Sequence, residues 1–262
     1  QYDESRGVAN MGIGRRFGER WTGNLNLRLE SVKISNIEPS AATDVFRDQG
    51  TNGLTAIGAS FRRSALDKYV RPTRGSILDV GLERFGLFGG DYEFSRAKIE
   101  SSLYIPVEED VLGNRTVLLL RANARWIPED PSNVPVYERL YLGGRDFRGF
   151  KNRGVGPRGP RNDAPALLAK DSIGGTYSFF LGAQIEKPLL ENYIAGVVFV
   201  DSGTVTTDPG FDDYRVSAGI GVRVYIPQLG PVPLAADFGV PLMRADGDQK
   251  QIFSFSLDLP FQ

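Results

Sequence analysis

From Tyr214 to Ile226 the side chains alternate in character without a break. Tyr214, Val216, Ala218, Ile220, Val222, Val224 and Ile226 fall on one parity, and Arg215, Ser217, Gly219, Gly221, Arg223 and Tyr225 on the other. Successive residues of a β-strand point to opposite faces, so a strand here has one oily face and one polar face. The pattern constrains the fold more than any other feature because it recurs along the whole chain. Leu118, Leu120, Ala122, Ala124 and Trp126 oppose Arg121, Asn123 and Arg125. Ala97, Ile99, Leu103 and Ile105 oppose Arg96, Lys98, Glu100 and Tyr104, and Leu78, Val80 and Leu82 oppose Asp79 and Glu83. Tyr177, Phe179, Leu181, Ala183 and Ile185 oppose Ser178, Gln184 and Glu186, and Phe253, Phe255, Leu257, Leu259 and Phe261 oppose Ser254, Ser256 and Asp258.

The alternation predicts about eleven strands of roughly ten residues, the length a tilted strand needs to cross a bilayer. They fall near 6–17, 20–36, 52–65, 74–88, 91–106, 114–128, 174–188, 192–205, 213–227, 231–242 and 250–261. Tyr104-Ile105-Pro106, Trp126-Ile127-Pro128 and Tyr225-Ile226-Pro227 set an aromatic beside a proline, and these are read as strand ends at a membrane interface.

A soluble β-sandwich also has one wet face per sheet. Two features argue for a transmembrane barrel instead. The polar faces carry charges of both signs, as a crowded lumen does. The connections also alternate in length: 17–20, 187–191 and 227–231 are short, whereas 37–51 and above all 129–173 are long. Short turns at one end and long loops at the other describe an all-β, antiparallel outer-membrane barrel.

Composition narrows the chemistry. No apolar run approaches the ~20 residues of a spanning helix. There are no cysteines and no histidines, so disulfides, thiolate metal sites, His-based zinc sites and serine triads are excluded. With 31 basic and 32 acidic residues, no basic excess points to nucleic acid. The carboxylates Asp79 and Glu83 leave a lumenal enzyme open on paper, but nothing around them outlines a substrate cleft. We therefore expect no enzyme, cofactor or metal. The chain opens at Gln1 without a starting Met and reads as a processed or truncated product.

The longest connection holds Gly143-Gly144, then Arg148-Gly149-Phe150, then Gly156-Pro157. In that order and in that loop, the three elements resemble the sixth extracellular loop of the BamA family of outer-membrane assembly factors, which includes TamA and Sam50. Tyr69-Val70-Arg71-Pro72-Thr73-Arg74-Gly75, Gly90-Asp91-Tyr92-Glu93-Phe94 and Val200-Asp201-Ser202-Gly203-Thr204-Val205 extend the resemblance over nearly the whole chain from about residue 50.

The resemblance implies a sixteen-stranded barrel whose loop folds into the lumen. Arg148 would be held there by carboxylates on the strands just after the loop, for which Glu186 and Asp201 are the candidates. A guanidinium binds carboxylate bidentately, and a desolvated charge needs such a partner. Gly149 permits positive φ or close backbone approach, and Phe150 can wedge against the wall. Five strands follow the loop, as in the family, but about six precede it. The first strands and the periplasmic POTRA repeats are thus expected upstream of this chain.

The implied function is folding and insertion of client β-barrel proteins into the outer membrane. Clients would enter through a lateral seam that includes the strand of Phe253, Phe255, Leu257, Leu259 and Phe261. Implied partners are outer-membrane lipids, unfolded clients and accessory lipoproteins. A protein translocation pore of the same superfamily is the alternative, with a passive porin behind it.

Overall fold

The computed structural model describes residues 2–111, 113–190, 193–226 and 233–257. Eleven strands form one antiparallel sheet: β1 (Asp3–Phe17), β2 (Trp21–Ser35), β3 (Gly50–Leu66), β4 (Gly75–Phe85), β5 (Ser95–Glu109), β6 (Arg115–Trp126), β8 (Tyr177–Leu190), β9 (Ile194–Thr206), β10 (Arg215–Tyr225), β11 (Pro233–Met243) and β13 (Phe253–Leu257). Two short strands, β7 (Gly149–Phe150) and β12 (Lys250–Gln251), pair with each other apart from this sheet. Neighbours in the sheet are neighbours in the chain, with β7 intervening in the connection of residues 127–176 between β6 and β8 and β12 between β11 and β13.

The two faces separate as the alternation requires. Leu25, Phe61, Leu82, Ile99, Leu181, Val198, Ile220 and Phe238 stand exposed on one face. A continuous apolar surface of this extent is the mark of a membrane-facing wall. Aromatics cluster toward both of its margins, with Phe17 and Phe61 at ring centroids 6.4 Å apart beside Trp21, and Trp126 paired opposite Tyr177 at the other end. The opposite face carries the charges, tied across strands by ion pairs such as Lys98–Asp79 at 3.0 Å and Arg96–Glu83 at 2.6 Å.

Two readings of proline need correction. Pro106 and Pro188 do not end their strands: β5 runs on to Glu109 and β8 to Leu190, each with a register shift just past the proline. A bulge removes the need for the missing N–H, so the ladder resumes beyond it. The final strand is also interrupted. Lys250 and Gln251 pair with Phe150 and Gly149, and only after Ile252 does the chain join β11. Leu259, Phe261 and the turn at Pro227–Pro231 lie outside the described residues.

The long connections pack together at one end. Val32, Leu54, Phe85 and Phe94 from the sheet and its margin meet Val45 of helix α1 (Thr43–Arg47) and Val134, Val136, Tyr137 and Leu140 of the longest connection in one buried cluster. Asp48 ties three connections: it accepts hydrogen bonds from the Tyr92 hydroxyl at 2.9 Å and the Val136 N–H at 2.6 Å. Burial, reinforced by the Asp48 charge, pushes the Tyr92 phenol above its ordinary pKa, so the donor keeps its proton.

Candidate functional site

The connection 127–176 lies on the polar face and touches strands far apart in the sheet. Near its start, Glu138 contacts Arg6 of β1 at 3.2 Å, Arg28 of β2 at 2.7 Å and Arg96 of β5 at 3.1 Å. Further along, the backbone folds into a tight hairpin in which the Gly144 N–H donates to the Phe150 carbonyl at 2.8 Å. Gly143 makes this turn feasible. Its φ is +130°, and a Cβ there would stand 2.0 Å from the Lys151 carbonyl oxygen, so no side chain fits. Gly156 and Pro157 end the excursion: the Pro157 carbonyl accepts from the Ile173 N–H at 2.9 Å and the Ser172 hydroxyl at 3.0 Å.

The hairpin delivers Arg148 to β8, β9 and β10. Its Nε donates to Asp201 Oδ2 at 2.7 Å and its Nη2 to Asp201 Oδ1 at 2.9 Å, a fork-to-fork pair. Nη1 donates to Gln184 Oε1 at 2.7 Å, and the guanidinium lies flat on the Phe199 ring, 3.5 Å from its centroid. The backbone is held as well, since the Ser217 hydroxyl donates to the Arg148 carbonyl at 2.5 Å. Arg121 Nη2 approaches Asp201 from the other side at 3.4 Å. Arg148 is 3% exposed and Asp201 0%, so this is a desolvated pair whose remaining polar atoms are also bonded. That is the condition under which a buried ion pair offsets its desolvation cost.

Gly149 and Phe150 continue the contact. Gly149 has φ +93°, and a Cβ there would press on Ser217 Cβ at 3.2 Å and the Gly239 backbone at 3.4 Å. Phe150 is buried with Phe147, Leu142, Val155, Phe180 and Val205, its ring 4.8 Å from that of Phe147. The charged end of the motif is thus locked to the wall by hydrogen bonds and the aromatic end by packing.

Glu186 does not join this site. Its carboxylate accepts from the Tyr225 hydroxyl at 2.8 Å and lies 3.8 Å from Arg71. The parity expected for it is right, but two residues along a strand is about 7 Å, one rung away from Arg148. Gln184 occupies the nearer rung. Asp201 already neutralises the guanidinium, and an amide oxygen supplies the third acceptor without adding a second negative charge. Asp79 and Glu83 are each neutralised by a cation, Lys98 and Arg96, and form no free acid–base pair.

The motif also grips the start of the last strand. Besides the β7–β12 pairing, the Lys151 N–H donates to the Gln249 carbonyl at 2.8 Å and the Gln249 N–H to the Gly154 carbonyl at 3.1 Å. The Gln249 side chain reaches Asp171 at 2.6 Å. Next to it Asp248 forms a buried bidentate pair with Arg215 of β10 at 3.0 and 3.1 Å.

The Omp85 superfamily domain matches residues 1–261. The chain belongs to the Omp85 superfamily. Among curated proteins it is similar to the outer membrane protein assembly factor BamA of Neorickettsia risticii, 28% identical over 249 residues, covering 91% of this chain and 31% of that protein. It is also similar to BamA of Nitratidesulfovibrio vulgaris, 29% identical over 253 residues, covering 92% of this chain and 30% of that one. The chain therefore spans about a third of the length of these relatives. Among solved structures, BamA from Haemophilus ducreyi lacking POTRA domains 1-3 matches with a TM-score of 0.81 at 20% identity, over 97% of this chain and 54% of that one. CdiB from Acinetobacter baumannii matches with a TM-score of 0.60 at 18% identity, over 98% and 42%. The chain is thus a segment of an outer-membrane β-barrel of this superfamily.

Within this Omp85 chain, sequence reasoning brought Arg148 and Asp201 together but passed over Gln184, Ser217, Phe199 and the Asp248-Gln249 grip. Gln184 and Ser217 carried a signal, since both sit on the polar parity of their strands. Phe199 carried the opposite one: as an apolar residue on the inward parity of β9, it marks where a packed object replaces water.

Proposed function

We propose that this chain is the carboxyl-side part of a sixteen-stranded barrel that folds and inserts client β-barrel proteins into the outer membrane, with the Arg148 hairpin plugged into its lumen. The observation that carries the reading is the buried Arg148–Asp201 pair, seated by a loop whose Gly149 and Phe150 pack against the wall beside it. The resemblance to two curated assembly factors supports the same reading. No bond is made or broken. β1 and β13 are the two edges of the described sheet. An edge strand presents unpaired N–H and C=O groups, which in lipid are costly unless another strand meets them. A seam that includes β13, where an incoming client strand pairs by β-augmentation, uses this chemistry. Phe253 and Phe255 point outward beside the seam and offer lipid-facing contact. Clients, accessory lipoproteins and the upstream POTRA repeats complete the proposed machine.

The test is Arg148→Ala in the full-length protein. Both the yield of assembled client barrels and the heat resistance of the protein itself should fall. Survival of both would overturn the reading. A steady, large conductance in planar bilayers would instead favour a translocation pore or porin.

A further inference from the structure

Arg63 and Arg15 belong to the apolar face of the sheet. Arg63 has the parity of Ile57 and Phe61, which stand exposed there. Arg15 pairs with Gly23 and Gly23 with Phe61, so these three share the same face. Both arginines lie toward the short-turn end, where the register sets Arg63 opposite Trp21, the first residue of β2. Both also lean further toward that end. Arg63 Nη1 donates to the Ser76 hydroxyl at 3.0 Å, near the start of β4. The Arg15 guanidinium lies 5.8 Å from the centre of the Phe17 ring, at the end of β1. A lipid-facing arginine is costly in the hydrocarbon and bends its charged head toward the interface, the level at which tryptophan also gathers.

Between the two arginines the wall forms a shallow seat. Gly23 has no side chain, and a Cβ there would stand 2.9 Å from Phe17 Cε2 and 3.2 Å from Phe61 Cε1, so the two rings close over it as an apolar floor. Arg15 and Arg63 flank this floor, two strand spacings across and two residues along, roughly 12 Å between their Cα atoms. Trp21 adds an indole N–H donor beside Arg63. Arg63 has a described strand on each side, yet its side chain bonds only the Ser76 hydroxyl among the described residues. No carboxylate shares the outward face of β1 to β4 at this level. The adjoining turn brings Glu19 and Arg20, one of each sign. By contrast, Arg84 at the long-connection end of the same face is set against Glu129 at 3.0 Å.

We propose that Arg63, flanked by Arg15 and Trp21, binds the phosphodiester of an anionic phospholipid in the leaflet at the short-turn end, with the lipid's glycerol and upper chains lying on the Phe17–Phe61 floor. A guanidinium fork matches two phosphate oxygens, and a phosphate supplies the negative charge that the wall withholds. A zwitterionic headgroup brings an ammonium as well, for which the seat holds no carboxylate, so headgroups of net negative charge are preferred. The proposal rests on the barrel reading above, which puts this face in lipid and the short turns at one interface.

The test is native mass spectrometry of the full-length protein in detergent, with palmitoyl-oleoyl phosphatidylglycerol and palmitoyl-oleoyl phosphatidylcholine added separately. The wild type should retain phosphatidylglycerol in preference to phosphatidylcholine, and Arg63→Gln should lower that preference about fivefold. Adding Arg15→Gln should abolish what remains. Lys33→Gln removes one exposed cation at the opposite end of β2 and should leave the preference unchanged. Heat-modifiable electrophoretic mobility checks that each variant is folded. Equal retention of both lipids by the wild type, or a double variant that still prefers phosphatidylglycerol, overturns the site. A loss as large in Lys33→Gln as in Arg63→Gln means that net charge alone draws the lipid, and overturns it too. Release of bound lipid by inorganic phosphate, but not by chloride at matched ionic strength, would make the free anion the ligand and overturn the lipid assignment. A wild type without heat-modifiable mobility in phospholipid vesicles is a different failure: it is then the barrel reading that falls, and the site with it.

Discussion

Arg148 and Asp201, 53 residues apart, meet through three hydrogen bonds, two from the guanidinium and one from the Arg148 N–H, in a site closed to solvent, and Asp201 is shared with Arg121. The sharing makes the pair asymmetric. Asp201→Ala leaves the Arg148 guanidinium buried with a neutral amide as its remaining side-chain acceptor, and the cost of an uncompensated buried charge is about 3–5 kcal/mol. Arg148→Met leaves Asp201 with Arg121 still in contact and should cost less. Denaturant unfolding of the two single variants and the double variant in detergent checks this order. The double variant should lose less than the sum of the singles, because its second change removes a group already stranded.

Gln184 and Glu186 stand one rung apart and should respond differently. Gln184→Leu removes an acceptor from a buried charged donor and should destabilise by about 1.5–3 kcal/mol. Glu186→Gln, in a part-exposed contact, should cost less than about 1 kcal/mol and leave the Arg148 site intact. The same unfolding measurement compares them, and a larger effect at Glu186 would contradict the geometry.

Gly149 and Gly239 are where hairpin and wall touch backbone to backbone: a Cβ on Gly239 would lie 2.7 Å from the Gly149 nitrogen. Gly149→Ala and Gly239→Ala should each push the hairpin off β10 and β11. Because Lys151 and Gln249 are bonded across the same junction, their amides should exchange faster with solvent in both variants, as read by hydrogen exchange. Protection that stays unchanged would mean that the hairpin does not position the last strand.

Asp67 makes the turn between β3 and β4 sensitive to acid, through bonds from the Lys68, Thr73 and Arg74 N–H groups and the Thr73 hydroxyl. Burial alone would raise its pKa, but the bonds from Thr73, Arg74 and Lys68 outweigh it and hold the carboxyl below its ordinary value of 3.8. A carboxyl whose folded pKa is depressed contributes fully above its unfolded value, and the contribution is lost as pH falls through the folded one. Cleavage of the 67–74 turn by an acid-active protease should therefore be slow above about pH 4 and accelerate below it. Asp67→Asn should cleave readily throughout and lose the pH dependence.

Much of this molecule is written in local pattern. Side chains alternate along any strand, so the apolar wall, the charged face, the order of the eleven strands and the alternation of short and long connections follow from residue order alone. The Gly-Gly, Arg-Gly-Phe and Gly-Pro elements marked the loop that docks on the polar face, since they encode backbone conformations that few other residues adopt. Pro106 and Pro188 marked bends but not whether the strand resumes, because a bulge depends on the partner strand as well as on the proline. Parity placed Glu186 on the correct face, the family resemblance singled out Asp201, and neither could go further. Which rung meets Arg148 depends on how deep the hairpin sits, and that depth is set by Phe150 packing and by Gly149 against Gly239. The exchange of partners at Ile252 and the reach of Arg71 to Tyr225 were likewise decided only in three dimensions. Both join segments separated by about 100 residues or more, across a curved wall whose shape no local window contains.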